Sequence, residues 1–164
     1  MKTIFTVLIC FLFSTVLVGQ ETIKMDINKL LDTWHQAAAD SDQEAYFEII
    51  DDEGIYIGTD SSEMWTRQEF YDWSTQYFDQ KKGWDFKAIK RNIYLSANGQ
   101  MAWFDEQLKY GNNILRGSGV LVKRDLEWRI AHYVLSVAVP NDKYKEVMKV
   151  IQHKPMVTEE EKPD

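Results

Sequence analysis

The chain has one cysteine and three prolines among its 164 residues. Cys10 lies inside the apolar run of residues 4–18 and follows Ile9, where a lipoprotein processing site needs a small residue. Once residues 1–19 are set aside no thiol remains, which excludes disulfides and thiolate metal sites from the rest. Histidine is scarce too, with three residues in neither His-x-His nor His-Glu-x-x-His spacing. No dedicated metal site and no cofactor are therefore expected. Positive charge is in deficit, 19 Lys and Arg against 26 Asp and Glu, for a net charge of −7. That balance speaks against nucleic acid and anionic membrane surfaces as partners. The sequence also lacks an internal repeat and an interdomain linker, so one domain is expected, of a size that buries a core without staples.

The one long apolar run is at the start. Lys2 supplies a positive charge, residues 4–18 are almost wholly apolar, and the run is short for a membrane span. Residues 1–19 read as a signal peptide cleaved after Gly19, although Leu17 is bulkier than the usual residue at that position. An uncleaved anchor is the alternative. The expectation is an exported protein, periplasmic or extracellular, with no membrane association after signal removal.

Aromatics are abundant, with six Trp, eight Tyr and eight Phe. At this density they fill a core, and they also line cavities for flat organic ligands. Residues 26–39 place Ile27, Leu30, Leu31, Trp34 and Ala38 on one helical face, with His35 at its edge. Ser41 and Glu44 have capping-box spacing for a short second helix, residues 51–54 read as a polar turn, and residues 55–59 as a first strand. Thr66 and Glu69 form another capping box, flanked by Trp65 and Phe70 at staple positions. This junction starts a third helix with Phe70, Trp73, Tyr77 and Phe78 inward, and it suggests a pocket mouth around residues 60–63.

From Trp84 onward the period becomes two. Residues 86–95, 101–110, 114–123 and 128–139 read as a four-strand antiparallel meander with turns at Asn98-Gly99, residues 111–113 and residues 124–126. Pro140 stops the last strand. Asn141 or Asp142 then caps a C-terminal helix within residues 141–153, and residues 154–164 form a disordered acidic tail.

Helix, helix, strand, capped helix and curved meander, in that order, resemble the nuclear transport factor 2-like superfamily, and within it the bacterial SnoaL-like group. The residues carrying the resemblance are 34–38, Gly58-Thr59-Asp60 with Glu63 and Trp65, 102–106, 116–119 and 128–133. The resemblance covers about residues 25–140, within a domain set at residues 20–140. It implies an α+β cone in which N-terminal helices close over a curved, mostly antiparallel sheet with a pocket between. Homodimers are common in that superfamily, and a homodimer is expected. Some of its members are isomerases, cyclases or dehydratases, and others are binding or assembly modules.

Proton-transfer chemistry in such a pocket needs a His or carboxylate whose pKa an apolar cavity moves toward neutrality, with donors aimed at a developing enolate. The catalytic candidates are His35, Asp60, Asp105 and His132. The ligand-binding candidates are Trp34, Trp65, Trp103, Glu106, Arg116 and Tyr133. Asp105 and Glu106 alternate along a strand, so at most one faces the pocket. The other is solvated or paired with Arg91 or Arg116. By the same alternation His132 shares a face with Trp128, Ile130 and Val134. Gly117 and Gly119 either admit a close approach or bend the sheet, and the bend is preferred. Gly117-Ser118-Gly119 lacks the setting of a nucleophile elbow. The leading expectation is an exported protein that binds a small, largely apolar organic molecule. The alternatives are a proton-transfer enzyme and a non-catalytic homodimeric module. A buried His–carboxylate pair open to a cavity would favour the enzyme, and a cavity filled by aromatics the module.

Overall fold

The computed structural model describes residues 2–151, with side chains described from residue 19 onward. The expected signal peptide therefore has almost no described side chain, and the expected acidic tail lies outside the described residues. Helix α1 (Lys2–Asp40) runs without a break through the predicted 26–39 segment. Its apolar stripe is realised: Ile27, Leu31, Trp34 and Ala38 are buried against the sheet.

Helix α2 (Gln43–Glu48) is capped by Asp42, whose carboxylate accepts the Ala45 N–H at 3.0 Å. Ser41 does not take the role its capping spacing predicts. It sits at φ +56°, ending α1, and its hydroxyl instead accepts the Gly83 N–H at 3.1 Å. Strand β1 (Ile50–Ile57) starts well before the predicted strand. Residues 51–54 form an irregular stretch of that strand, not a turn: Ile50 and Ile55 both pair with β6 (Glu127–Val137), and the register shifts between them. Asp51 anchors the irregularity through Arg124 at 2.7 Å.

A three-residue edge strand, β2 (Met64–Thr66), pairs antiparallel with β1 and puts Trp65 opposite Tyr56. Helix α3 (Arg67–Asp79) begins there. Its capping box is complete, with the Glu69 N–H donating to Thr66 Oγ1 and the Thr66 N–H donating to Glu69 Oε2 at 2.9 Å. Trp65 and Phe70 form the staple, with rings stacked at 5.3 Å. Phe70, Ser74 and Phe78 are the buried face of α3, while Trp73 is half-buried and Tyr77 exposed.

The meander follows as predicted: β3 (Lys87–Leu95), β4 (Met101–Tyr110), β5 (Asn113–Arg124) and β6. The six strands form one sheet in the order β2-β1-β6-β5-β4-β3, antiparallel except where β1 lies parallel to β6. The helices and core lie on its inner face. A short helix α4 (Tyr144–Val150) follows the sheet, without a side-chain cap and with no buried residue.

One parity change matters for the site. Val120 pairs with His132 but Leu121 with Ile130, so Ala131 is an extra residue in β6. The bulge flips the alternation. Trp128, Ile130, Tyr133 and Leu135 are buried inward, and His132 shares the outer face with Val134. The expectation that His132 lies beside Trp128 and Ile130 is thereby corrected.

Replacing the cap by Thr66→Ala is expected to lower stability by about 1 kcal/mol. Urea denaturation should show a lower midpoint with an unchanged slope.

Candidate functional site

Two adjacent features occupy the space between helices and sheet: a sealed polar cluster and an open aromatic cavity. The cluster is centred on Glu106, which β4 carries inward and which is 1% exposed. A carboxylate removed from water costs several kcal/mol unless it is well paired. Here one oxygen, Oε1, accepts from His35 Nε2 at 2.9 Å and from the Tyr133 hydroxyl at 3.0 Å. The other, Oε2, accepts from Arg91 Nε at 2.8 Å. Hydrogen bonds of this charged kind contribute about 1.5–3 kcal/mol each, so three are of the size needed to offset burial.

Burial alone would push the Glu106 carboxyl up. The hydrogen bond and charge of His35, joined by the charge of Arg91, overcome it and hold the group below the usual carboxylate range. Because the carboxylate has no proton to give, Nε2 of His35 is the ring nitrogen that carries one. Burial, reinforced by the nearby Glu106 charge, keeps the Tyr133 hydroxyl protonated far into alkali. Arg91 is anchored in turn to α1, donating from Nη1 to the Asn28 carbonyl, the Asn28 side chain and Asp32 at 2.8–3.1 Å. Trp34 packs over the group, its ring 4.8 Å from Tyr133 and 5.0 Å from His35.

Gly117 on β5 makes the cluster possible. A Cβ there would lie 2.2 Å from the Tyr133 hydroxyl and 2.9 Å from Glu106 Oε1. Its purpose is close approach, in place of the preferred bend. The bulge at Ala131 supplies the local irregularity instead.

The cavity opens beside this cluster, with a volume of about 220 Å³. Its walls come from Trp65, Phe70, Trp73, Trp84 and Phe86, with Tyr110 at the exposed edge. The loop after β1 contributes Gly58, Thr59 and Glu63. The inner wall includes Leu115 and Leu135 from the sheet, Tyr56, whose ring lies 5.4 Å from Tyr133, and Phe86, whose ring lies 6.1 Å from His35. Burial, and next the charge of Glu63, push the Tyr56 hydroxyl up.

The ten candidates thus separate into groups. His35, Glu106 and Tyr133 meet, with Trp34 against them. Trp65 lines the cavity. Asp60 lies in the loop at its rim, accepting from the Ser62 N–H at 2.9 Å. Asp105 points the other way and accepts from Asn92 at 3.0 Å. Trp103, Arg116 and His132 belong to the outer face of the sheet, where Trp103 stacks on Tyr94 at 5.8 Å. Tyr56, Trp73, Trp84 and Phe86 were not singled out as site residues. Their signal was the aromatic pair flanking Asp85 and the partner position opposite Trp65.

Glu106→Gln removes the charge while keeping the shape. The folded pKa of Glu106 is depressed, so its contribution is full above the usual value of 4.5 and is lost as pH falls through the folded value. The stability gap between wild type and Glu106→Gln, measured by urea denaturation from pH 7 downward, is expected to narrow below about pH 4.5. Gly117→Ala is expected to cost about 1–3 kcal/mol by overpacking in the same assay.

Solved structures similar to this one share its architecture at low identity. An NTF2-like protein of unknown function from Pseudomonas putida KT2440 is 12% identical, with a TM-score of 0.60, covering 75% of this chain and 92% of its own. An NTF2-like protein from Cytophaga hutchinsonii is 14% identical at a TM-score of 0.58, covering 70% and 98%. The association domain of C. elegans CaMKII is 18% identical at 0.60, covering 73% and 98%. No curated protein matches the chain. These likenesses give the NTF2-like cone fold, α+β with helices over a six-stranded sheet. The model of the SnoaL-like domain matches residues 27–140, most of the chain, and the protein belongs to the SnoaL-like domain family.

Proposed function

We propose that this is an exported SnoaL-like protein that binds a small, largely apolar organic molecule in the cavity bounded by Tyr56, Trp65, Trp73 and Trp84. The observation that carries the reading is an aromatic chamber of about 220 Å³ bordered by residues of the apolar core. Apolar walls with a few polar groups are the ordinary build of a small-molecule site.

The geometry argues against proton-transfer catalysis. The buried His–carboxylate pair that such chemistry needs is present, at 2.9 Å. Neither residue lines the cavity, and both Glu106 oxygens are already engaged. Tyr56 and Phe86 line the chamber and carry their rings against Tyr133 and His35. The cluster reads as an internal lock between α1, β3, β4 and β6.

A second reading concerns assembly and rests on a different surface. Tyr94, Met101 and Trp103 are 44–48% exposed on the outer face of the sheet. Val120, His132 and Ile55 continue the same row across three more strands. We propose that this face pairs with a second copy, making a homodimer. The likeness to an association domain supports it.

Small apolar molecules that fit the chamber are expected to raise the melting temperature and change indole fluorescence in a saturable way. At a hundredfold excess over Kd the stabilisation is about 2.7 kcal/mol. The binding reading fails if a metabolite mixture never moves the melting temperature and native mass spectrometry finds no co-purified molecule. For the dimer, Trp103→Glu is expected to shift the sedimentation coefficient to that of a monomer. Wild type that already sediments as a monomer at micromolar concentration counts against it.

A further inference from the structure

Seven of the twelve residues lining the chamber are aromatic, none is basic, and one, Glu63, is acidic. We propose that the molecule the chamber takes is a small organic cation with apolar substituents, such as a quaternary ammonium or a methylated amine. The inference rests on the cavity reading and narrows its ligand class.

Aromatic rings carry negative charge on their faces, so they attract a cation whose own surface is hydrocarbon, and desolvation strengthens the attraction. Three of the seven rings, Trp65, Trp73 and Trp84, are indoles, the best rings for the purpose. Trp65 and Trp73 pack against each other at 31° with centroids 4.8 Å apart, and both border the chamber. A volume of about 220 Å³ suits a group the size of trimethylammonium and leaves little room for a steroid or polyketide. An anionic ligand would find no positive lining residue and would face a carboxylate. A purely neutral hydrocarbon would make no use of that carboxylate.

Glu63 is held at the rim by the local backbone. Its Oε2 accepts the Asp60 N–H at 3.1 Å, while the Gly58 N–H donates to the Glu63 carbonyl at 2.9 Å. The carboxylate folds back over the end of β1, onto a position where a side chain is missing. A Cβ on Gly58 would lie 2.1 Å from Oε2. Glycine at 58 thus admits the acid to the chamber. The Glu63 Cβ would lie 2.9 Å from the same position, so Gly58 serves the tight loop as well as the carboxylate.

The test is a calorimetric titration of the protein at low salt with choline and with 3,3-dimethylbutan-1-ol, its neutral carbon isostere. Choline is expected to bind about tenfold tighter than the isostere. Glu63→Gln keeps an oxygen for the Asp60 N–H and removes the charge. It is expected to lower the choline-to-isostere affinity ratio about tenfold, and Gly58→Ala is expected to lower the same ratio by displacing the acid. The ratio of the two affinities does not depend on the folded fraction, so loss of stability in either variant does not imitate the effect. Equal binding of choline and isostere overturns the cation inference and leaves the cavity reading standing. Binding of neither overturns the cation inference, and together with no melting-temperature shift from the metabolite mixture and no co-purified molecule it overturns the cavity reading as well.

Discussion

A carboxylate with 1% of its surface exposed has to find inside the protein what water would have supplied, and the satisfaction of Glu106 constrains much of this fold. Its partners come from α1, β3 and β6, so one charge fixes the distance of the long helix from the sheet and the register of three strands. Each partner is fixed in turn: Arg91 through Asn28 and Asp32, Tyr133 against Trp34, and the whole group by the missing Cβ of Gly117. Removing a single partner would leave a buried charge uncompensated, the costly way to break such a cluster. Burial here is a constraint on geometry more than a source of net stability.

The same constraint divides the interior. Behind Tyr56 and Phe86 the cone is sealed and polar at its centre. In front of them it is aromatic and open. Members of this fold that run proton transfer need the titratable group and the substrate in one compartment. Here the group with the right chemistry is on one side of the wall and the space on the other. The capped start of α3 contributes to the open side. Trp65, held between Tyr56 on β1 and Phe70 and Trp73 on α3, serves as a staple and as a cavity wall.

What the sequence revealed follows from how local each feature is. The capping box at Thr66, the Trp65–Phe70 staple, the stripe of α1 and the meander turns all depend on neighbours a few residues away, and all are realised. The residue types of the cluster were equally visible, but His35 and Glu106 are 71 positions apart, and nothing local announces their meeting. The side of His132 was misjudged because one bulged residue reverses a period of two without altering composition. The reach of β1 was underestimated because Asp51, Asp52, Glu53 and Gly54 have turn composition. It is parallel pairing with β6, and the Asp51–Arg124 pair, that keep them in the sheet. A three-residue strand such as β2 is too short to show any period.

The central claim is that binding and the Glu106 cluster occupy separate compartments. Nitrogen–proton correlation spectra of the protein, recorded before and after saturation with benzene as a small apolar probe, test it directly. The account predicts that the indole signals of Trp65, Trp73 and Trp84 move while the Trp34 indole and the His35 Nε2 proton stay in place. Movement of the His35 signal together with those indoles would show that the chamber reaches the cluster, and would contradict the separation.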